Sequence, residues 1–261
     1  QAQAAALARA EAGGNAGEDA GEGAYGEIAI PPNGIPDGCT HITPEMLPLV
    51  QLTQADIDTV AAQVPGGMAN VQDIYPLAPL QEGMLFHHQL QQEGDAYVTP
   101  TLLAFDTRER LERFVASLNE VVARHDILRT AVLWEGLSKP VQVVNRQAHV
   151  VLEWPDIDNA VPADAVAHPD AAADTGAVAV SDVRTQLESL IDPTRHRIDV
   201  RKAPMIRLLA VQDAANDRWL LQLASHHLIS DHTTLERMVH EIGLLQQGRS
   251  SELPPVVPFR N

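Results

Sequence analysis

The stretch Arg218–Ile242, RWLLQLASHHLISDHTTLERMVHEI, decides the reading of this chain. Trp219 to Ser225 is apolar and β-compatible, as expected of a strand. Leu235, Met238, Val239 and Ile242 then recur at helical spacing, and Thr233 with Glu236 forms a candidate capping box for that helix. His226, His227, Asp231 and His232 therefore fall on a strand-to-helix crossover. Successive strand residues face opposite sides, so His227 shares the parity of Leu221, Leu223 and Ser225, and His226 takes the other side. A given cleft is open to one of the two imidazoles.

Outward from this crossover the chain has the composition of a globular protein, 45% hydrophobic and 20% charged over 261 residues. It holds 35 acidic residues against 18 Lys plus Arg, a formal charge of −17. That balance disfavours nucleic acid and anionic membrane as partners. Cys39 is the one cysteine, which rules out an internal disulfide and a Cys-rich zinc site. No apolar run reaches the roughly 18 residues of a membrane span, and QAQAAALARAEAGG at the start lacks a secretory h-region. We expect a reducing cytoplasm.

Upstream of the crossover, TQLESLI reads as a helix, and MIRLLAVQ and RWLLQLAS as strands joined by the turn AANDR. Pro155 to about Val183 is rich in Ala, Asp and Pro and reads as an irregular surface crossing. Before it, Leu111, Phe114, Val115, Leu118, Val121 and Val122 mark an amphipathic helix in RERLERFVASLNEVVARH. ILRTAVLW, VQVV and HVVLEW follow as strand candidates. Nearer the start, Thr53 and Asp56 form a capping pair before Ile57, Val60, Ala61 and Val64, and Pro65-Gly66-Gly67 ends that helix. Residues 1–40, rich in Ala, Gly, Glu and Pro, read as a flexible linker, 41–70 as a lead-in and 71–261 as the folded lobe. Mixed helices and strands imply an α/β or α+β sandwich.

Three generic readings of the histidines stay open on the residues alone. They are buried and hydrogen-bonded to backbone, or His227, Asp231 and His232 ligate zinc, or one imidazole does acid–base work near neutral pH. The zinc reading is the weakest, because SHHLISDH does not supply the H-x-H-x-D-H order of metallo-β-lactamases.

SHHLISDH resembles the H-H-x-x-x-D-G signature of condensation domains of nonribosomal peptide synthetases and their chloramphenicol-acetyltransferase-like relatives. YPLAPLQEGMLFHHQL, Tyr75–Leu90, is similar to the first core motif of these domains, and RHDILRT, Arg124–Thr130, to their R-H-E-x-L-R-T motif. ITPEMLPLVQLTQADID resembles the lead-in that follows a carrier domain. His232 stands where the family motif has glycine, which implies a different local turn or a subtype.

The resemblance implies a chloramphenicol-acetyltransferase-like lobe, one half of a two-lobed condensation domain, with the C-terminal lobe expected outside this chain. It implies that His227 positions or deprotonates the acceptor amine as that amine attacks a donor thioester. By the same resemblance Asp231 holds the loop through an arginine, His226 packs, and Arg129 is structural. No metal and no directly bound cofactor is implied; the phosphopantetheine arms of upstream and downstream carrier domains bring the substrates. HHQLQQEGD, with His87, His88, Gly94 and Asp95, resembles the H-H-[I/L]-x-x-x-x-G-D element of dual condensation/epimerisation domains, with Gln89 in place of the aliphatic residue. It implies epimerisation of the donor residue before condensation. A noncatalytic interaction module and an acyl-coenzyme A-dependent acyltransferase are the alternatives. The readable His227 and Asp231 argue against the first, and the carrier-type lead-in against the second. The isolated lobe is expected to be inactive.

Overall fold

A computed structural model of the chain describes residues 30–157 and 182–260. Most of the expected linker and most of the expected crossing lie outside these residues. The described strands form two sheets. The first has the order β1–β4–β3, built from β1 (Val71–Pro76), β3 (Thr130–Leu133) and β4 (Val141–Asn145), with antiparallel pairs throughout. The second has the order β2–β7–β6–β5, from β2 (Val98–Phe105), β5 (Leu152–Glu153), β6 (Ile206–Asp213) and β7 (Arg218–His226). Here β5 and β6 are parallel and the other pairs antiparallel. This mixed α/β architecture is the expected one.

The amphipathic pattern between Leu111 and Val122 becomes the helix α3 (Arg108–Arg124), whose Leu111, Val115, Leu118, Val121 and Val122 are buried. They share a core with Leu208, Leu221 and Leu223 of the larger sheet and with Met238 and Ile242 of the helix α5 (His232–Gln246). TQLESLI lies within and just beyond α4 (Val183–Ser189). Of the run HVVLEW only Leu152–Glu153 is strand, and Asp126–Arg129 forms a 3-10 turn before β3.

A second core joins the lead-in to the smaller sheet. The helix α1 (Gln54–Gln63) opens with the expected reciprocal cap: the Asp56 N–H donates to Thr53 Oγ1 at 3.2 Å, and the Thr53 N–H donates to Asp56 Oδ2 at 2.9 Å. Its Ile57 and Val60 pack with Ile35, Ile42, Val71, Ile74, Val141 and Val143. Strand β3 serves both cores, because Val132 turns to the first and Leu133 to the second.

Residues 31–40, expected within the flexible linker, are instead fastened to the lobe. Ile35 is buried, Asn33 Nδ2 donates to the Gln72 carbonyl at 2.8 Å, and Arg146 bonds the Asp37 carboxylate and the Pro36 carbonyl. Composition hid this, because a single Ile and a few polar anchors hold a segment that is otherwise Pro- and Gly-rich. No helix among the described residues is long and apolar enough to cross a membrane.

Because Ile57 is fully buried in the core that binds the lead-in to the sheet, we expect Ile57→Ala to cost about 2–5 kcal/mol of folding stability. Denaturant unfolding monitored at Trp134 and Trp219 checks it, with a single shifted transition expected.

Candidate active site

Strand β7 ends at His226, as the alternation requires, and the two histidines part there. His226 is completely buried and His227 is exposed. The His226 N–H donates to the Met205 carbonyl at 3.1 Å and the His227 N–H to the Tyr97 carbonyl at 2.9 Å, so the chain stays tied to both neighbouring segments as it leaves the sheet. The turn closes with the Ile229 N–H on the His226 carbonyl at 3.1 Å.

Asp231 then caps α5. Its Oδ1 accepts from the Thr234 N–H at 2.7 Å, and from the hydroxyls of Thr233 at 2.9 Å and Thr234 at 2.7 Å. These bonds hold its carboxyl below the usual range, the backbone bond from Thr234 most of all. Two expectations are corrected. The cap is Asp231 rather than Thr233, because the carboxylate reaches the free N–H groups of the first turn two positions earlier. Among the described residues no arginine pairs with Asp231; threonines do the anchoring. His232 is the first residue of α5 and exposed, so the position needs no glycine conformation.

Hydrogen-bond direction fixes the tautomer of each histidine. The Leu228 N–H donates to His226 Nδ1 at 3.0 Å, which leaves the proton on Nε2, and Nε2 faces Asp95 Oδ2 at 3.2 Å. Burial lowers the His226 pKa, while Asp95 opposes the shift. His226, expected only to pack, therefore bridges the turn to a buried carboxylate. At His227 the pattern is reversed: Nδ1 lies 3.0 Å from the Ser230 carbonyl, which can only accept. The proton sits on Nδ1, and Nε2 offers its lone pair, 3.0 Å from the Thr99 hydroxyl.

The second histidine element folds onto this crossover. His87 and His88 end the helix α2 (Pro79–Leu90) and part like the first pair. His87 is exposed, its Nδ1 2.9 Å from the Tyr97 hydroxyl, whereas His88 is buried with Nδ1 2.5 Å from Asp95 Oδ2. Asp95 is 1% exposed and also accepts from the Tyr97 N–H at 3.0 Å. Burial opposes its charge, but the bonds from His226, His88 and Tyr97 together prevail and hold its carboxyl far below the ordinary range. Gly94, with φ +68°, permits the approach: a Cβ there would lie 2.5 Å from the Thr194 carbonyl oxygen. The Asp95 N–H meanwhile donates to the Pro193 carbonyl at 2.7 Å.

His88, Asp95 and His226 offer three ligand-type atoms within 4.8 Å of one another. Their arrangement is that of a hydrogen-bond cluster, since both nitrogens of His226 are engaged and Nε2 carries a hydrogen. His227, Asp231 and His232, the zinc set weighed on the sequence, do not converge, because His227 Nδ1 is bonded to a carbonyl and Asp231 faces threonines.

The other motifs arrive at the same crossover. Gln81 Nε2, from the first core motif, donates to the Leu228 carbonyl and to Gln142 Oε1, both at 3.0 Å. From RHDILRT, Arg124 Nε lies 3.1 Å from Glu241 Oε2, and His125 Nε2 lies 3.0 Å from both Glu241 oxygens. Glu241 is fully buried, so this clamp sets α5 against α3. Arg129 is buried elsewhere, bonding Gln72 Oε1 at 2.8 Å and the carbonyls of Asn145 and Arg146, which supports its structural reading. Sequence reasoning singled out none of Tyr97, Thr99, Gln81 and Glu241; Gln81 lies within the first core motif, which was the one available signal, and nothing local marks the other three.

Asp95→Asn keeps the shape and removes the charge that two imidazoles share, and we expect it to cost about 1–3 kcal/mol of stability. Asp95 and His226 are both depressed in the folded state, so both contributions are complete above the unfolded-state pKa and lost as pH falls. Stability is thus expected to decline below about the ordinary histidine value of 6.5 and then further through the carboxylate range; in Asp95→Asn the carboxylate-range loss disappears, while the histidine-range loss deepens because nothing then opposes the depression of His226. Denaturation midpoints measured from about pH 8 down to about pH 2, a span that brackets the ordinary histidine and carboxylate values, decide it; the same pH dependence in the two proteins would contradict the assigned role.

Comparison with known proteins identifies the family. Malpinin synthetase of Mortierella alpina is 44% identical to the chain over 239 residues, covering 92% of this chain and 3% of that protein. Malpibaldin synthetase of the same organism is 43% identical over 231 residues, 88% of this chain and 4% of that protein. The chain thus spans a small fraction of the length of these relatives. The crystal structure of SeMet-CT superposes with a TM-score of 0.56 at 17% identity, covering 84% of this chain and 43% of that one, a likeness of fold. The condensation domain model matches residues 71–261, the span in which all of these motifs meet. On that match, and on the convergence of its motifs at one strand-to-helix turn, the chain belongs to the condensation domain family.

Proposed function

We propose that this chain is the N-terminal lobe of a peptide-bond-forming domain of a nonribosomal peptide synthetase and that His227 is its base. The observation that carries the reading is the state of His227: an exposed imidazole whose Nδ1–H is committed to the Ser230 carbonyl, so that Nε2, 3.0 Å from the Thr99 hydroxyl, carries the lone pair that can take a proton. In the proposed reaction the amine of a carrier-borne aminoacyl group attacks the carbonyl carbon of a donor thioester on a second carrier. A C–N bond forms as Nε2 accepts the amine proton, the C–S bond then breaks, and the proton passes to the departing thiolate. The phosphopantetheine arms of the carriers supply the thiols, and a second lobe is the other wall of the reaction channel. Turnover is therefore proposed for the complete domain and not for this lobe alone.

The HHQLQQEGD element supports a further step, epimerisation of the donor residue before it is joined. Its His88 and Asp95 are bonded into the turn that presents His227, so the element belongs to the reacting region and not to a remote surface. The thioester acidifies the α-carbon, and removal and return of that proton converts the L-residue to its D-form.

His227→Ala in the complete module is expected to lower dipeptide formation by about 10²–10⁴-fold with unchanged folding. Single-turnover assays with two loaded carriers measure this, and normal turnover by a well-folded variant would remove His227 from the base role. The epimerisation step is checked separately: an L-loaded upstream carrier is expected to give a product with a D-residue at the donor position. An all-L product from an active enzyme refutes that step alone.

A further inference from the structure

The lone pair that a base must offer is not bare. His227 Nε2 lies 3.0 Å from Thr99 Oγ1, and since Nδ1 holds the ring proton against Ser230, the threonine hydroxyl must be the donor. Thr99 reaches this place through strand register. In β2 it lies opposite Ser225 of β7, two residues before His227, and so shares the face on which His227 projects. Thr99 is half-buried beside an exposed imidazole, and β2 holds its backbone. The ring is therefore gripped at both nitrogens, from the Ser230 carbonyl and from the Thr99 hydroxyl.

We propose that Thr99 is the positioning residue of His227, a hydroxyl that aims Nε2 at rest and reverses its hydrogen bond when Nε2 is protonated. This rests on the reading of His227 as the base. At rest the Thr99 O–H donates to Nε2. As the amine approaches, the hydroxyl rotates about Cβ–Oγ1 and yields the lone pair to the incoming N–H. Once the C–N bond has formed and the proton lies on Nε2, Thr99 Oγ1 accepts from that new N–H and steadies the imidazolium until the C–S bond breaks and the thiolate takes the proton. A hydroxyl can serve in both directions because it carries one donor and two acceptor lone pairs. An aliphatic side chain of the same size has neither donor nor acceptor and cannot follow the proton in this way.

Thr99→Val keeps the shape and the strand preference while removing the hydroxyl. In the complete module we expect kcat for condensation to fall roughly 3- to 10-fold, the equivalent of one hydrogen bond, with KM little changed. In the 15N spectrum of the chain, the unprotonated Nε2 of His227 is expected to move downfield, toward a nitrogen without a donor, while Nδ1 stays protonated. Thr99→Ser is expected to restore both readouts, and Thr99→Ala to repeat the valine result if valine disturbs the strand. Wild-type kcat together with an unmoved Nε2 resonance in Thr99→Val overturns the proposal, and leaves the base reading intact as long as His227→Ala is inactive. Full activity of His227→Ala overturns the base reading and the proton-following role with it, whatever the spectrum shows.

Discussion

A single buried carboxylate organises this lobe. Asp95 is nearly inaccessible, and an anion in such a place is tolerated only when donors surround it. Three do: the imidazoles of His88 and His226 and the amide of Tyr97. Each comes from a different part of the chain, so satisfying one charge pins the end of α2, the end of β7 and the start of β2 to one point. The same bonds decide the tautomer of His226, which then accepts from Leu228 and shapes the turn beyond it. The exposed His227 inherits its position from a charge it never touches.

A second buried anion does for the helix what Asp95 does for the strand. Glu241 is enclosed by Arg124 and His125, and through them α5 is locked against α3. The strand before the turn and the helix after it are thus each held by a buried carboxylate, while the turn itself is held by lighter bonds, Gln81 on the Leu228 carbonyl and Asp231 on the first turn of α5. Firm flanking elements with a lightly bonded turn suit the role proposed for His227, in which one imidazole stays aimed while its hydrogen bonds exchange.

Local pattern made the elements and the parting of the two histidines legible in the sequence. Strand parity set His226 and His227 on opposite sides, the resemblance assigned packing to His226, and period-3.6 repetition marked α3 and α5. What lay hidden depends on register and on distance along the chain. Thr99 is 128 residues from His227 and meets it only because β2 pairs with β7. Gln81 reaches across 147 residues to Leu228, and Glu241 looks like one more helical acid until Arg124 and His125 are brought beside it. The cap of α5 was misplaced for a different reason: Asp231 and Thr233 are both competent caps, and only the backbone path shows which one meets the free amides. Residues 31–40 read as linker because so few side chains do the fastening.

Gly94 carries a consequence for anyone reshaping such enzymes by random mutagenesis. Its backbone passes so near the carbonyl of Thr194 that no side chain fits, and its left-handed conformation excludes most residues in any case. Every missense codon at this position displaces the neighbouring Asp95, and through it the whole crossover. In a library screened for altered substrate choice, position 94 will therefore register as intolerant for a purely steric reason. Its intolerance is a measure of scaffold, and weighting it as a specificity position would direct diversity to a place where the lobe has no slack.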